Sequence, residues 1–73
     1  MEFKDRFKNL LDEKGVTKTQ MSRDTGISVY RINTWLKGTK KPNSKYLIPI
    51  SDYFNVSTDF LFGRKDKHGN KLP

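Results

Sequence analysis

The sequence contains no cysteine and no alanine, and what it lacks excludes several classes of protein. Without cysteine, neither disulfides nor cysteine-ligated metals can stabilise the chain. No apolar run approaches the length of about 18 residues that a membrane-spanning helix needs. The first residues also lack the apolar stretch of a secretory signal. We therefore expect a protein that resides in the cytoplasm and has no membrane partner.

Residues typical of enzyme active sites are also scarce. Serine and threonine are plentiful, but the only histidine is His68, close to the end of the sequence. No glycine-rich loop of the kind that cradles phosphate is present. Because no nucleophile with a base, no carboxylate pair and no metal-ligand cluster is indicated, we expect no catalysis, no cofactor, no bound metal and no small-molecule ligand.

Acidic residues are missing from the middle of the chain. The protein has 15 lysines and arginines against 8 aspartates and glutamates, for a net charge of +7. None of the acidic residues lies between Asp24 and Asp52, whereas that interval holds the cations Arg31, Lys37, Lys40, Lys41 and Lys45. Such a segment is typical of a surface that binds a polyanion. A solvated basic surface is the other interpretation that charge alone allows.

The apolar residues near the N-terminus have the spacing of a helix. They recur at i, i+4, i+7 and i+8, which is one face of a helix over residues 3–14: Phe3, Phe7, Leu10 and Leu11. Gly15 follows that helix and favours its termination, because glycine adopts the left-handed conformation at the C′ position without steric cost.

Two short helices separated by a glycine turn come next. Thr17 and Gln20 have the spacing of a capping box, in which each side chain satisfies a backbone donor of the other residue. The helix that they begin ends at Gly26, and Ser28 caps a third helix over residues 28–37. Two short helices joined by a tight glycine turn form a helix-turn-helix motif.

The fourth helix carries a conflict between its pattern and one residue. Asn43 or Ser44 can cap it, and its apolar side holds Leu47, Ile50, Ser51 and Phe54. Pro49 would remove a backbone hydrogen bond within that helix and clash with the preceding turn. We therefore expect a kink, or a regular helix that begins only near Ile48.

A fifth, short helix is indicated by Ser57, which can cap it, and by Val56, which can pack on Leu61 as a hydrophobic staple. The residues after it, 64–73, have the composition of a disordered basic tail or of a linker stub. The sequence therefore predicts an all-α domain of five helices over residues 1–63.

The outer side of the third helix has no carboxylate. At about 100° per residue, its inner side holds Ile32, Trp35, Leu36 and Ser28. Its outer side holds Tyr30, Asn33, Thr34 and Lys37, with Val29 and Arg31 at the borders. Asparagine can pair with adenine, threonine offers a hydroxyl and a methyl, and valine can contact a thymine methyl. The sequence therefore predicts a recognition helix for the major groove of DNA.

The chain also resembles a known family. Residues 17–42, TKTQMSRDTGISVYRINTWLKGTKKP, resemble the helix-turn-helix of the Cro-type phage repressors, the xenobiotic-response-element-like or lambda-repressor-like regulators. Residues 55–63, NVSTDFLFG, are similar to the segment that closes their five-helix domain, so the resemblance covers residues 3–63. It implies a transcriptional regulator, most readily a repressor, that binds double-stranded operator DNA. Where many members have glutamine and alanine this chain has Lys18 and Ser22, so the operator preference of relatives does not transfer.

The resemblance further implies roles for individual residues. The recognition helix would read bases with Val29, Tyr30, Asn33 and Thr34. Phosphates would be held at the start of the second helix and in the loop after the third, by Thr17, Lys18, Lys37, Lys40 and Lys41, to which we add Arg31. We also expect Leu36, at a position that is often acidic in the family, to pack on Leu11.

One recognition helix contacts few base pairs, so we expect a weak homodimer on a palindromic operator. The apolar residues near the C-terminus provide a candidate contact region: Val56, Phe60 and Phe62. The other interpretation of these three residues is that they belong to the core. The alternative function is an antitoxin-like or anti-repressor module that acts mainly by binding another protein. Phosphate contacts make affinity fall steeply with salt, so the salt dependence separates the two functions.

Overall fold

A computed structural model describes residues 2–62, and these residues form five helices and no strand. In chain order the helices are α1 (Phe3–Lys14), α2 (Lys18–Thr25), α3 (Val29–Lys37), α4 (Ser44–Phe54) and α5 (Thr58–Phe62). None of them is long and apolar enough to cross a membrane. The predicted all-α, five-helix fold is confirmed, while the predicted tail, residues 64–73, lies outside the described residues.

Every helix contributes a fully buried side chain to one core. These side chains, in helix order, are Phe7, Met21, Ile32, Ile50 and Leu61. Burial of an apolar side chain of this size stabilises a fold by about 1.5–3 kcal/mol. The shared core holds α3 against α1 and α2 through its inner side and leaves its outer side for a partner.

Aromatic rings join α1 to α3 and α4 within this core. The ring of Phe7 lies edge-on to Trp35, with 6.0 Å between ring centroids, and edge-on to Phe54, also at 6.0 Å. Leu11 is buried, and Leu36 is half-buried against the same cluster. The predicted apolar side of α3 is therefore correct for Ile32, Trp35 and Leu36.

Four helices begin after a side-chain cap, as predicted. The caps accept from backbone N–H groups of the first turn: Thr17 Oγ1 from Gln20 (3.1 Å), Ser28 Oγ from Arg31 (3.2 Å), Asn43 Oδ1 from Lys45 (3.1 Å) and Ser57 Oγ from Phe60 (3.0 Å). Each such bond satisfies a donor that has no partner within the helix, and its loss destabilises a helix by about 1 kcal/mol.

Two local predictions are wrong. The Gln20 side chain donates to Asp24 Oδ1 (2.9 Å), and no bond from Gln20 back to the Thr17 N–H occurs in the described part of the chain. A charged acceptor one turn away competes with the capping box for this amide.

Ser28 is exposed rather than turned to the core. As the N-cap it lies outside the helix, so the helical angle per residue does not apply to it.

Of the two outcomes expected at Pro49, a kink or a regular helix that begins only near Ile48, the late start is wrong. Helix α4 begins at Ser44 and includes Pro49. The proline lacks the N–H that would bond to the carbonyl of Lys45. Lys45 is exposed, so water can solvate that carbonyl, and the burial of Ile50 offsets the lost hydrogen bond.

Candidate nucleic-acid interface

The outer side of α3 is accessible along its length. Tyr30 is 80% exposed, which is unusual for a large aromatic side chain. Val29, Asn33 and Thr34 are half-buried, and Lys37 is exposed. The residues predicted to read bases therefore all retain surface on the side of α3 away from the core.

The hydroxyl of Thr34 is already engaged within its helix. Its Oγ1 donates to the backbone carbonyl of Tyr30 at 2.9 Å. Because the hydroxyl has a single proton, the lone pairs of Oγ1 and the methyl group remain for a ligand. Thr34 can therefore accept a hydrogen bond from a base or contact a thymine methyl.

Lys18, at the first turn of α2, contacts Asn33 in the middle of α3. Lys18 Nζ donates to Asn33 Oδ1 at 2.8 Å, and this bond is exposed. A residue predicted to hold phosphate is thus joined to one predicted to read a base. Thr17, the cap of α2, is exposed and accepts through its oxygen, so its hydroxyl proton is left for a phosphate.

On the other side of the recognition helix, a groove runs between α3 and α4. It is lined by Tyr30, Arg31, Thr34, Trp35, Lys40, Lys41, Pro42, Asn43 and Tyr46. Two predicted base-reading residues and three predicted phosphate-binding cations therefore meet in one groove. Its lining contains no carboxylate, so the groove favours an anionic ligand.

Tyr46 of α4, which lines this groove, contacts two cations. The Arg31 guanidinium lies 4.8 Å from the centroid of its ring, and the Lys45 ammonium lies at 5.7 Å. Trp35 packs against the same ring, with 5.5 Å between centroids. Exposed cation–π contacts stabilise by about 0.5–1 kcal/mol. Neither Tyr46 nor Lys45 was predicted as a site residue, because the helical pattern of α4 does not show which of its residues meets α3.

A cation of α1 lies beside the C-terminal end of α3. Gly38 has φ of 79°, the left-handed conformation that favours glycine. A Cβ at Gly38 would also lie 2.7 Å from Cδ of Lys4, so the aliphatic part of Lys4 passes close to the backbone there. Lys4 thus joins Lys37 at this end of α3. No sequence signal could have identified it, since the contact depends on how α1 crosses α3.

Helix α2 is also held in place by α4. Tyr53 of α4 donates its hydroxyl to Asp24 Oδ2 at 2.6 Å, and the Lys14 ammonium lies 4.7 Å from the centroid of the Tyr53 ring. Burial, the hydrogen bond to Asp24 and the charge of that carboxylate raise the pKa of Tyr53 to about 12.

Among residues 2–62 no group of three acidic or histidine side chains is arranged to hold a metal ion.

The five helices, with α2 and α3 joined by a glycine turn and the outer side of α3 exposed, define a helix-turn-helix protein. The family model of the helix-turn-helix domain matches residues 5–67, and the chain belongs to this family. No curated protein matches the chain.

Among solved structures, the chain is similar to the P22 c2 repressor protein, crystallised with synthetic operator 9T in the presence of Tl⁺. The two share 19% sequence identity with a TM-score of 0.79, and the match covers 85% of this chain and 94% of the repressor chain. The fold is therefore that of a lambda-repressor-like helix-turn-helix domain, as the sequence resemblance implied. The family supports a DNA-binding regulator rather than an enzyme.

Proposed function

We propose that this protein is a sequence-specific double-stranded-DNA-binding repressor of transcription that inserts α3 into the major groove. The observation that carries the proposal is the outer side of α3, which is accessible and has no carboxylate. It also has cations at both of its sides: Lys18 at the start of α2, and Lys40 and Lys41 in the groove toward α4. A major groove is bordered by a phosphate strand on each side, so this arrangement is complementary to it.

Within this arrangement the residues have two kinds of role. The base-reading residues are Val29, Tyr30, Asn33 and Thr34. The phosphate-binding residues are Thr17, Lys18, Arg31, Lys37, Lys40 and Lys41. Contacts to phosphate position a protein on the duplex, and contacts to base edges supply the sequence preference. A repressor of this kind acts in the cytoplasm, where bacterial or phage DNA lies.

The protein would bind a palindromic operator as a weak homodimer. Val56 and Phe60 are half-buried, so part of each side chain packs on the core and part stays accessible to a second chain. The side chain of Phe62, the third predicted contact residue, lies outside the described part of the structure. The operator-bound form of the similar P22 c2 repressor supports duplex DNA as the ligand.

The proposal is tested by selecting bound sequences from random DNA and then measuring affinity for a selected and a scrambled duplex at two salt concentrations. Asn33→Ala should weaken binding to the selected duplex by about 1–3 kcal/mol and change binding to the scrambled one little. Lys37→Ala should weaken both and reduce the salt slope by about one unit, because one phosphate contact is lost.

Lys14→Ala is the matched control for the loss of one positive charge, since its ammonium lies over the Tyr53 ring rather than on α3. It should leave both affinities and the salt slope nearly unchanged, whereas Lys37→Ala lowers all three. If neither Asn33→Ala nor Lys37→Ala changes binding to any duplex, α3 is not the recognition helix. Weak, salt-insensitive DNA binding would instead favour the antitoxin-like or anti-repressor alternative, in which a protein is the main partner.

A further inference from the structure

The bond between Lys18 and Asn33 determines which hydrogen-bonding groups this part of the interface presents. A lysine ammonium can only donate, so the Asn33 atom that faces it must be the amide oxygen. The observed partner is indeed Oδ1, at 2.8 Å from Lys18 Nζ. The other amide atom, Nδ2, diverges from Oδ1 and faces away from Lys18. It therefore carries the two donors that Asn33 has left for a ligand.

Most of the hydrogen-bonding groups that the pair presents are donors. Lys18 keeps two N–H groups beside the one that it gives to Asn33, and Asn33 Nδ2 has two more. An asparagine that reads adenine must accept from the adenine amino group through Oδ1 while it donates to N7. Here Oδ1 keeps a second lone pair, but a lysine ammonium lies 2.8 Å from it, and the positive charge repels the adenine amino group. Guanine presents two acceptors, O6 and N7, and no donor in the major groove.

We propose that Lys18 and Asn33 act together as one specificity-determining unit that recognises guanine, and that Lys18 reads a base rather than holding a phosphate. The inference rests on the proposed function and replaces its assignment of Lys18. It also reverses the preference for adenine that asparagine alone would give. Lys18 is the first residue of α2 and is exposed. From there its ammonium reaches Asn33, in the middle of α3.

The test compares base preferences of Lys18→Met with those of the wild type on the selected operator, with every base pair varied in turn. Methionine keeps the length of the side chain and removes its charge and donors. At the base pair whose preference Asn33→Ala also changes, the wild type should select guanine by roughly 5- to 150-fold. Lys18→Met should abolish that selection or shift it toward adenine, because no cation then lies beside Asn33 Oδ1. Preferences at the other base pairs should remain.

Two further measurements make the test specific. Replacing the selected guanine with 7-deazaguanine removes the N7 acceptor, so it should weaken the wild type several-fold and affect Lys18→Met little. Lys40→Met is the matched variant, because it removes the same charge from the loop between α3 and α4. It should weaken binding to all sequences by one factor and leave each base preference unchanged. Circular dichroism confirms that all variants are folded.

The proposal is overturned if Lys18→Met behaves as Lys40→Met does, with a uniform loss across sequences, since Lys18 would then hold a phosphate. Selection of adenine by the wild type at the pair read by Asn33 overturns it as well. In both cases sequence-specific DNA binding by α3 would stand. A wild type that prefers no duplex over any other would instead refute the proposed function itself.

Discussion

Hydrogen bonds inside the domain change what individual side chains can offer a ligand. Thr34 donates its only proton to the carbonyl of Tyr30, and the amide oxygen of Asn33 lies beside the ammonium of Lys18. The sequence pattern placed both residues on the outer side of α3, since this follows from helical periodicity. It could not predict the two bonds, because they depend on rotamers and on how α2 crosses α3. The residue types alone therefore suggested adenine, whereas the geometry favours guanine.

Tyr53 gives a prediction at the same scale, because its hydroxyl joins α4 to Asp24 of α2. Its pKa is raised from 10.0 to about 12, mainly by burial and then by the hydrogen bond and charge of Asp24. A raised folded-state pKa stabilises the protein fully below the unfolded value and ceases to do so as pH rises through the folded one. The free energy of unfolding should therefore fall as pH rises from about 10 to about 12. Denaturant unfolding at several pH values across this range measures the fall in the free energy of unfolding.

Tyr53→Phe removes the ionisable hydroxyl and keeps the ring that lies under Lys14. It should destabilise the protein by about 1 kcal/mol at neutral pH and make the decline in the alkaline window shallower. Tyr30→Phe is the control, because Tyr30 is 80% exposed and lies outside the core. Identical pH profiles for wild type and Tyr53→Phe would refute the contribution of this hydroxyl.

At the scale of helices, the sequence predicted most boundaries because they are set locally. Caps such as Ser28 and the left-handed glycine at position 38 act through residues three or four positions away. The late start of α4 expected from Pro49 is wrong for the opposite reason. Its local effect is unfavourable, but the burial of Leu47 and Ile50 against other helices outweighs it. Tertiary packing of this kind is not visible in the sequence of one helix.

The contact between α1 and α3 gives a prediction for these elements. Leu11 is buried, so Leu11→Ala should lower the free energy of unfolding by about 2–5 kcal/mol. Leu36 packs on the same cluster but is only half-buried, and Leu36→Ala should lose about 1 kcal/mol. Denaturant unfolding of both variants checks the order. Equal losses, or a larger loss for Leu36, would mean that the buried side of α3 is rotated toward Leu36.

At the scale of the described molecule, positive charge is concentrated beside α3. Away from this charge, the carboxylate of Asp24 accepts hydrogen bonds from Gln20 and Tyr53. Arg31 and the lysines at positions 40 and 41 share a groove without any carboxylate. Three of the 15 lysines and arginines therefore lie together beside α3. Composition predicted a polyanionic partner, and only the fold shows that these cations lie beside α3.

The last prediction concerns two copies of this molecule on one operator. Two recognition helices that belong to a dimer must enter successive major grooves on the same side of the duplex, about 34–36 Å apart. An operator with two selected half-sites at this spacing should bind two chains cooperatively. Inserting about 5 base pairs between the half-sites moves the second one to the opposite side of the duplex. We expect the cooperativity to disappear and affinity for the second half-site to fall to that of an isolated one.

Restoring a full turn, with an insertion of about 10 base pairs, is the control, because it returns both half-sites to one side of the duplex. Cooperativity after this insertion should exceed that after the half-turn insertion, although the longer span weakens a direct contact. A mobility-shift titration measures the single and double occupancy of each duplex. Equal occupancy curves for all three spacings would show that the chains bind independently. The half-buried surfaces of Val56 and Phe60 would then belong to the core of a monomer rather than to a dimer contact.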